Sequence, residues 1–297
     1  MNRIVECVPN FSEGRRTDII DSIENAARDT PDVYVLDRHM DPDYNRSVIT
    51  IAGSPEKIAD GVFAAVVAAT QHIDLRVQTG EHPRLGATDV VPFVPIKNVT
   101  IAECTDIARK TGQRIADELH IPVFLYEAAA TLPNRTRLEQ IRTPVHEQRG
   151  VPDFGPADLH PTAGALVVGA RKPLIAYNVD LETADLSVAK DIARQIRSSS
   201  GGLPALKAIG VFLKSRGHAQ VSMNLTDYEQ TSLLQAYKAV FQLAEHLGIR
   251  ASTSELIGLA PRAAFGFEIE STIKSIRLER FSPSMVLETR LADIIPK

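Results

Sequence analysis

PVFLYE, Pro122 to Glu127, is six residues of apolar, β-branched and aromatic character ending on a charge. It is too short for a helix and reads as a strand. Upstream, RIVECVP (Arg3 to Pro9) is a first short strand. Asp18 to Ala27 is a helix with Ile19, Ile20, Ile23 and Ala26 at helical spacing. DVYVLDRH and RSVITIAG are two more strands, parted by the turn residues MDPDYN. Ser54 to Ile73 is a second helix. Ser54 offers a cap and Pro55 a first helical position, and Ile58, Val62, Val66 and Ala69 share a face. With PVFLYE as the last strand the order is β-α-β-β-α-β, the split βαβ arrangement. Asp74 to His120 then stands as an insertion carrying one more helix, about Ile101 to Leu119.

The second half repeats that order. KPLIAYNVDL is a strand and Thr183 to Ser199 a helix. LKAIGVFLKS and HAQVSMNLTD are strands, Thr231 to Leu247 a helix and ASTSELIGLA a strand. We therefore expect an α+β chain: two tandem βαββαβ units, each a sheet covered by helices, with the helix-rich tail after Pro261 on the second. At 297 residues the chain exceeds one ordinary core, and two domains of roughly 150 residues are the default.

Composition narrows the function. With 44% hydrophobic and 24% charged residues the chain is globular rather than disordered. A net charge of −4 argues against non-specific nucleic-acid binding. No apolar run reaches membrane-spanning length and no signal segment opens the chain, so a cytoplasmic protein is expected. Cys7 and Cys104 form no C-x-x-C pair. Cys7 lies mid-strand, where burial would leave the thiol inert.

Four places invite chemistry, each beside a bland reading. TGEHPRLGATD holds His82 between structure-breaking Gly80 and Pro83. A loop histidine is often only solvated. Here Glu81 or Asp89 can orient the ring, and Arg84 can hold a carboxylate bidentately. Asp37, His39, Asp41 and Asp43 alternate in DRHMDPDYN; a metal site is weighed below a polar strand end near a pocket. GPADLHPTAG brackets His160 with two glycines and two prolines, either as a linker or as a rigid ligand loop. Asn10 ends the first strand, equally a turn former or a ligand hydrogen-bonder. No dinucleotide, P-loop or nucleophile-elbow motif occurs.

VECVPNFSEG, GEHPRLGATDVVPF, GQRIADEL, PVFLYE, PDFGP and GARKPLIAYNVDL, in that order, resemble the glutamate formimidoyltransferase family, and the likeness continues through AQVSMNL and ELIGLAP. The resemblance implies two ferredoxin-like subdomains, residues 1–173 and 174–297, with folate in a tunnel between them and no cyclodeaminase domain. It implies transfer of a formimidoyl group between N-formimidoyl-L-glutamate and N5 of tetrahydrofolate, a co-substrate, in histidine degradation, with no metal. The family's catalytic histidine falls on His82. Its folate-binding segment falls on Gly155, Pro156, Ala157, Asp158, Leu159, His160, Pro161, Thr162, Ala163 and Gly164. Inside that segment ADLHPTA departs from the vertebrate pattern, which has more serine and aromatic character. Asn10, Arg46, Arg84 and Lys172 are the expected substrate contacts. A homodimer is the expected assembly. Glycine as acceptor, formyl rather than formimidoyl transfer, and a non-catalytic small-ligand sensor are the alternatives.

Overall fold

The first strand does not run unbroken. In the computed structural model, which describes residues 2–80, 84–142 and 150–295, β1 (Ile4–Cys7) and β2 (Asn10–Phe11) lie in line between the same two neighbours. Pro9 lacks an N–H for the ladder and interrupts them. Val8 N–H still donates to Pro92 O at 3.2 Å, and Pro9 O accepts from Ile49 N at 3.1 Å.

α1 (Thr17–Arg28), β3 (Val33–Asp41), β4 (Arg46–Gly53) and α2 (Ile58–His72) follow. The second helix starts later than its sequence suggests. Ser54 to Lys57 form a turn in which Ser54 O accepts from Lys57 and Ile58 N–H, and the Ser54 side chain makes no cap. β5 (Thr88–Lys97) comes next and occupies the place expected of PVFLYE. It pairs antiparallel with β1, while β1 pairs with β4 and β4 with β3. Pro95 sits where the β1–β5 register shifts, and such a bulge spares a ladder bond.

α3 (Ile101–Leu119) opens on a capping box. Glu103 N–H donates to Thr100 Oγ1 at 3.2 Å and Thr100 N–H to Glu103 Oε2 at 2.8 Å. PVFLYE is β6 (Val123–Glu127), and it lies at the outer edge. It pairs parallel with β7 (Leu166–Ala170), which pairs parallel with β5. The sheet is therefore mixed. Its helix-covered face buries Cys7, Phe11, Ile20, Ile23, Val62, Val66 and Phe93. A smaller cluster of Leu85, Val90, Phe124, Tyr126, Ile141, Ala165 and Val167 packs separately, around the short α4 (Leu138–Ile141). Both faces of β5 are thus buried.

The second sheet is antiparallel, in the order β11 (Ala251–Ile257), β8 (Ile175–Leu181), β10 (His218–Leu225), β9 (Leu206–Leu213). These strands pack under α5 (Leu186–Ile196) and α6 (Leu233–His246). Tyr177, Ile192, Val221, Tyr237 and Val240 are its core. Tail residues Phe265, Ile276, Leu278 and Val286 join that core, on and around α7 (Ile269–Ser275) and α8 (Leu287–Ile294). Among the described residues, Cα packing groups those up to 172 with 294 and 295 in one unit and 173–293 in the other. Among the described residues no helix is long and apolar enough to cross a membrane.

Candidate active site

One end of the first sheet collects most of the polar residues singled out above. The register sets Phe11 opposite Ser47 and Thr88, and Val90 opposite Val167. The end of β2, the starts of β4 and β5 and the start of β7 therefore coincide. Asn10, Arg46, Asp89 and the chain entering at Gly164 all lie there.

The two loops read as candidates meet at this end. Gly86 and Gly164 form an antiparallel bridge. Ala165 N–H donates to Leu85 O at 3.0 Å, Ala87 N–H to Ala163 O at 2.9 Å, and Leu75 N–H to Thr162 O at 2.9 Å. Burial of Leu85 in the smaller apolar cluster fixes the same segment from its side chain. His82, with Glu81 and Pro83, lies outside the described residues. Its flanks are held close. A Cβ on Gly80 would stand 2.5 Å from Tyr44 O and 2.6 Å from Arg84 Nη2, so only glycine lets these backbones approach.

Asp89, read beside Glu81 as a carboxylate able to orient His82, is buried at this sheet end. Its carboxylate is 2% exposed, accepts Leu85 N–H at 2.7 Å and ion-pairs with the Arg142 guanidinium. Arg46 is partly buried, and its guanidinium is held below the usual range by burial and then by the like charge of Arg142; Asp41, Tyr44 and Asp89 oppose this. Arg84 is lowered in the same direction by burial and Arg15, against Asp89 and Glu13. Arg46, Arg84 and Arg142 thus share the field of one buried carboxylate. That arrangement suits anionic ligands.

The loop after β2 is organised by Glu13, which sequence reading left as an ordinary loop residue. Its Oε1 accepts N–H groups of Gly14, Arg15 and Arg16 at 3.0, 2.8 and 3.0 Å. Asn45 joins this loop to residues 78–79: its Oδ1 accepts from Gly14 N at 2.9 Å, and its Nδ2 donates to Gln78 Oε1 and Thr79 O. Arg142, Glu13 and Asn45 carry no sequence signal beyond residue type.

Asn10 donates from Nδ2 to Val8 O at 3.0 Å, a turn-forming bond. Lys172 follows the far end of β7, about 17 Å of strand from the Gly164 end. Asp41 Oδ1 accepts Tyr44 N–H at 2.9 Å and closes the turn into β4. Among the described residues no three His, Cys, Asp or Glu side chains are grouped to hold a metal ion. Cys7 is fully buried, and burial, then Glu6, push its thiol well above the ordinary value. Such burial disfavours a covalent route through this thiol.

Two α+β units, the first with a polar, arginine-rich sheet end, form a scaffold suited to binding small anionic ligands. Residues 4–171 match the formiminotransferase domain, N-terminal subdomain, and residues 176–272 match the formiminotransferase domain, so the chain belongs to the formiminotransferase family. The glutamate formimidoyltransferase of Streptococcus pyogenes is 44% identical over 89% of this chain and 91% of its own. That of Thermoplasma acidophilum is 41% identical over 97% of both. The formimidoyltransferase-cyclodeaminase of Rattus norvegicus is 41% identical, and the chain spans 51% of its length.

Proposed function

We propose that the chain transfers the formimidoyl group of N-formimidoyl-L-glutamate to N5 of tetrahydrofolate, releasing L-glutamate, in histidine degradation. One observation carries the reading within this chain: the Leu85–Ala87 segment, just after His82, is hydrogen-bonded to the Thr162–Ala165 segment. An acid/base residue and a folate loop must be neighbours in such a transfer. Sequence likeness to glutamate formimidoyltransferases across both units supports the chemistry.

The transferred carbon is an electrophilic amidine carbon. Neutral N5 attacks it, and the tetrahedral adduct collapses once the glutamate nitrogen has gained a proton. His82 takes the N5 proton and returns one to the leaving amine, a role that typically contributes ~10²–10⁴-fold. Arg84 and Arg46 hold carboxylates, and Asn10 contacts the substrate. Gly155 to Gly164 cradle the folate. Lys172 serves a carboxylate of the longer ligand.

The orders β5-β1-β4-β3 and β11-β8-β10-β9 support reading both units as ferredoxin-like, and packing that changes over at 172/173 supports a division close to the expected 173/174. In this reading β6 and β7 extend the first unit.

The test is substrate discrimination. The protein should consume N-formimidoyl-L-glutamate only with tetrahydrofolate present. N-formimidoylglycine, lacking the side-chain carboxylate, should be used about 10–100-fold less efficiently, the worth of a lost charged hydrogen bond. Equal use of both would show that no residue reads the side-chain carboxylate, and a preference for N-formimidoylglycine would move the amino-acid substrate to glycine. No turnover of either would favour ligand sensing.

A further inference from the structure

The turn from His160 to Gly164 is held from inside by its own histidine. Reciprocal backbone bonds close it: His160 N–H donates to Gly164 O at 2.9 Å, and Gly164 N–H to His160 O at 3.0 Å. Between them the His160 ring faces back into the turn. Its Nδ1 accepts Ala163 N–H at 3.0 Å and Thr162 N–H at 3.3 Å. A backbone N–H can only donate, so Nδ1 carries its lone pair and the neutral ring holds its proton on Nε2. Burial, then the neighbouring His120, hold the ring's basicity below the ordinary value, in keeping with this form.

The peptide between Thr162 and Ala163 is clamped on both sides. Its N–H points at the His160 ring, and its carbonyl accepts from Leu75 N–H. The next carbonyl, Ala163 O, accepts from Ala87 N–H. Rotating the first peptide would break the ring contact and the bond to Leu75 together, and rotating the second would break the bond to Ala87 together with the Gly164 N–H to His160 O bond that closes the turn.

We propose that His160 is a positioning residue: its Nδ1 locks the 160–164 turn in the orientation that fastens the folate loop to the Leu85–Ala87 segment. The inference rests on the reading of this loop and of His82 given above. It assigns His160 a task distinct from touching the pterin through Nε2.

Two substitutions separate these roles. Asparagine can place an acceptor over the N–H groups two and three residues on, as in an Asx turn, but has nothing where Nε2 lies. Leucine keeps bulk and has no acceptor. His160→Leu should lower kcat/KM for tetrahydrofolate about tenfold, the loss of roughly one net hydrogen bond. His160→Asn should recover it to within about threefold. An asparagine variant as impaired as the leucine one, or a leucine variant like wild type, overturns the proposal.

Ring ¹⁵N shifts of wild type are read in parallel, without ligand. Nδ1 should resonate as the unprotonated and Nε2 as the protonated nitrogen. The opposite tautomer overturns the proposal even if the leucine variant fails to fold. Absence of tetrahydrofolate binding by wild type would sink the functional reading instead, and the ¹⁵N pattern would still decide the lock.

Discussion

Glu13 shows most clearly what one side chain does here. The carboxylate is 1% exposed. Burial alone would raise its pKa, but backbone N–H groups of Arg16 and Arg15, with the Gln78 and Arg16 side chains, outweigh burial and leave it lowered. A folded value below the unfolded one stabilises the protein above the unfolded glutamate pKa of about 4.3. That stabilisation is lost as pH falls through the folded value. Glu13→Gln should therefore cost about 1.5–3 kcal/mol at pH 7, with the gap from wild type narrowing below about pH 4.3. Urea unfolding at pH 7 and pH 3.5 measures this, and an equal gap at both would contradict it. None of this is visible in NFSEGRR, where a buried glutamate and a surface glutamate look alike. His82 and Arg84 stand out in the sequence because Gly80, Pro83 and Gly86 frame them, whereas Arg46 has no such local frame. Asp89 was legible as a site residue but not as the partner of Arg142, since that ion pair spans 53 residues.

Elements explain both the success and the failure of strand reading. β3, β4, β9 and β10 follow their apolar patterns closely, and α3 matches its expected span. β5 was hidden by Pro92 and Pro95. A strand buried on both faces shows no alternation, and two prolines normally argue against a central strand. With β5 unread, PVFLYE took its place, and β7 went unnoticed behind the glycines and prolines before it. The junction of these elements gives a sharp prediction. Gly164 has φ +72°, and a Cβ there would lie 2.3 Å from Leu85 O and 2.7 Å from Leu75 Cδ1. Gly164→Ala should cost about 2–4 kcal/mol through backbone strain and the parting of the two loops. A urea midpoint indistinguishable from wild type would show that the junction carries no such strain.

At the scale of the whole molecule, the presence of two α+β units was legible because helical and strand periods recur in the same order in both halves. The two separate buried clusters give that order its physical basis. The gathering of loops at one sheet end was not legible. It depends on β5 and β7 lying side by side, a pairing between segments some 77 residues apart at Val90 and Val167. A net charge of −4 also conceals the local surplus of arginines that anionic substrates require. The central claim is that this sheet end performs formimidoyl transfer with His82 as its proton shuttle. The most direct measurement is tetrahydrofolate-dependent consumption of N-formimidoyl-L-glutamate by wild type and by His82→Ala, with tetrahydrofolate binding measured on both. We predict that the variant binds folate and loses about 10²–10⁴-fold in kcat. Undiminished turnover in His82→Ala would contradict the account.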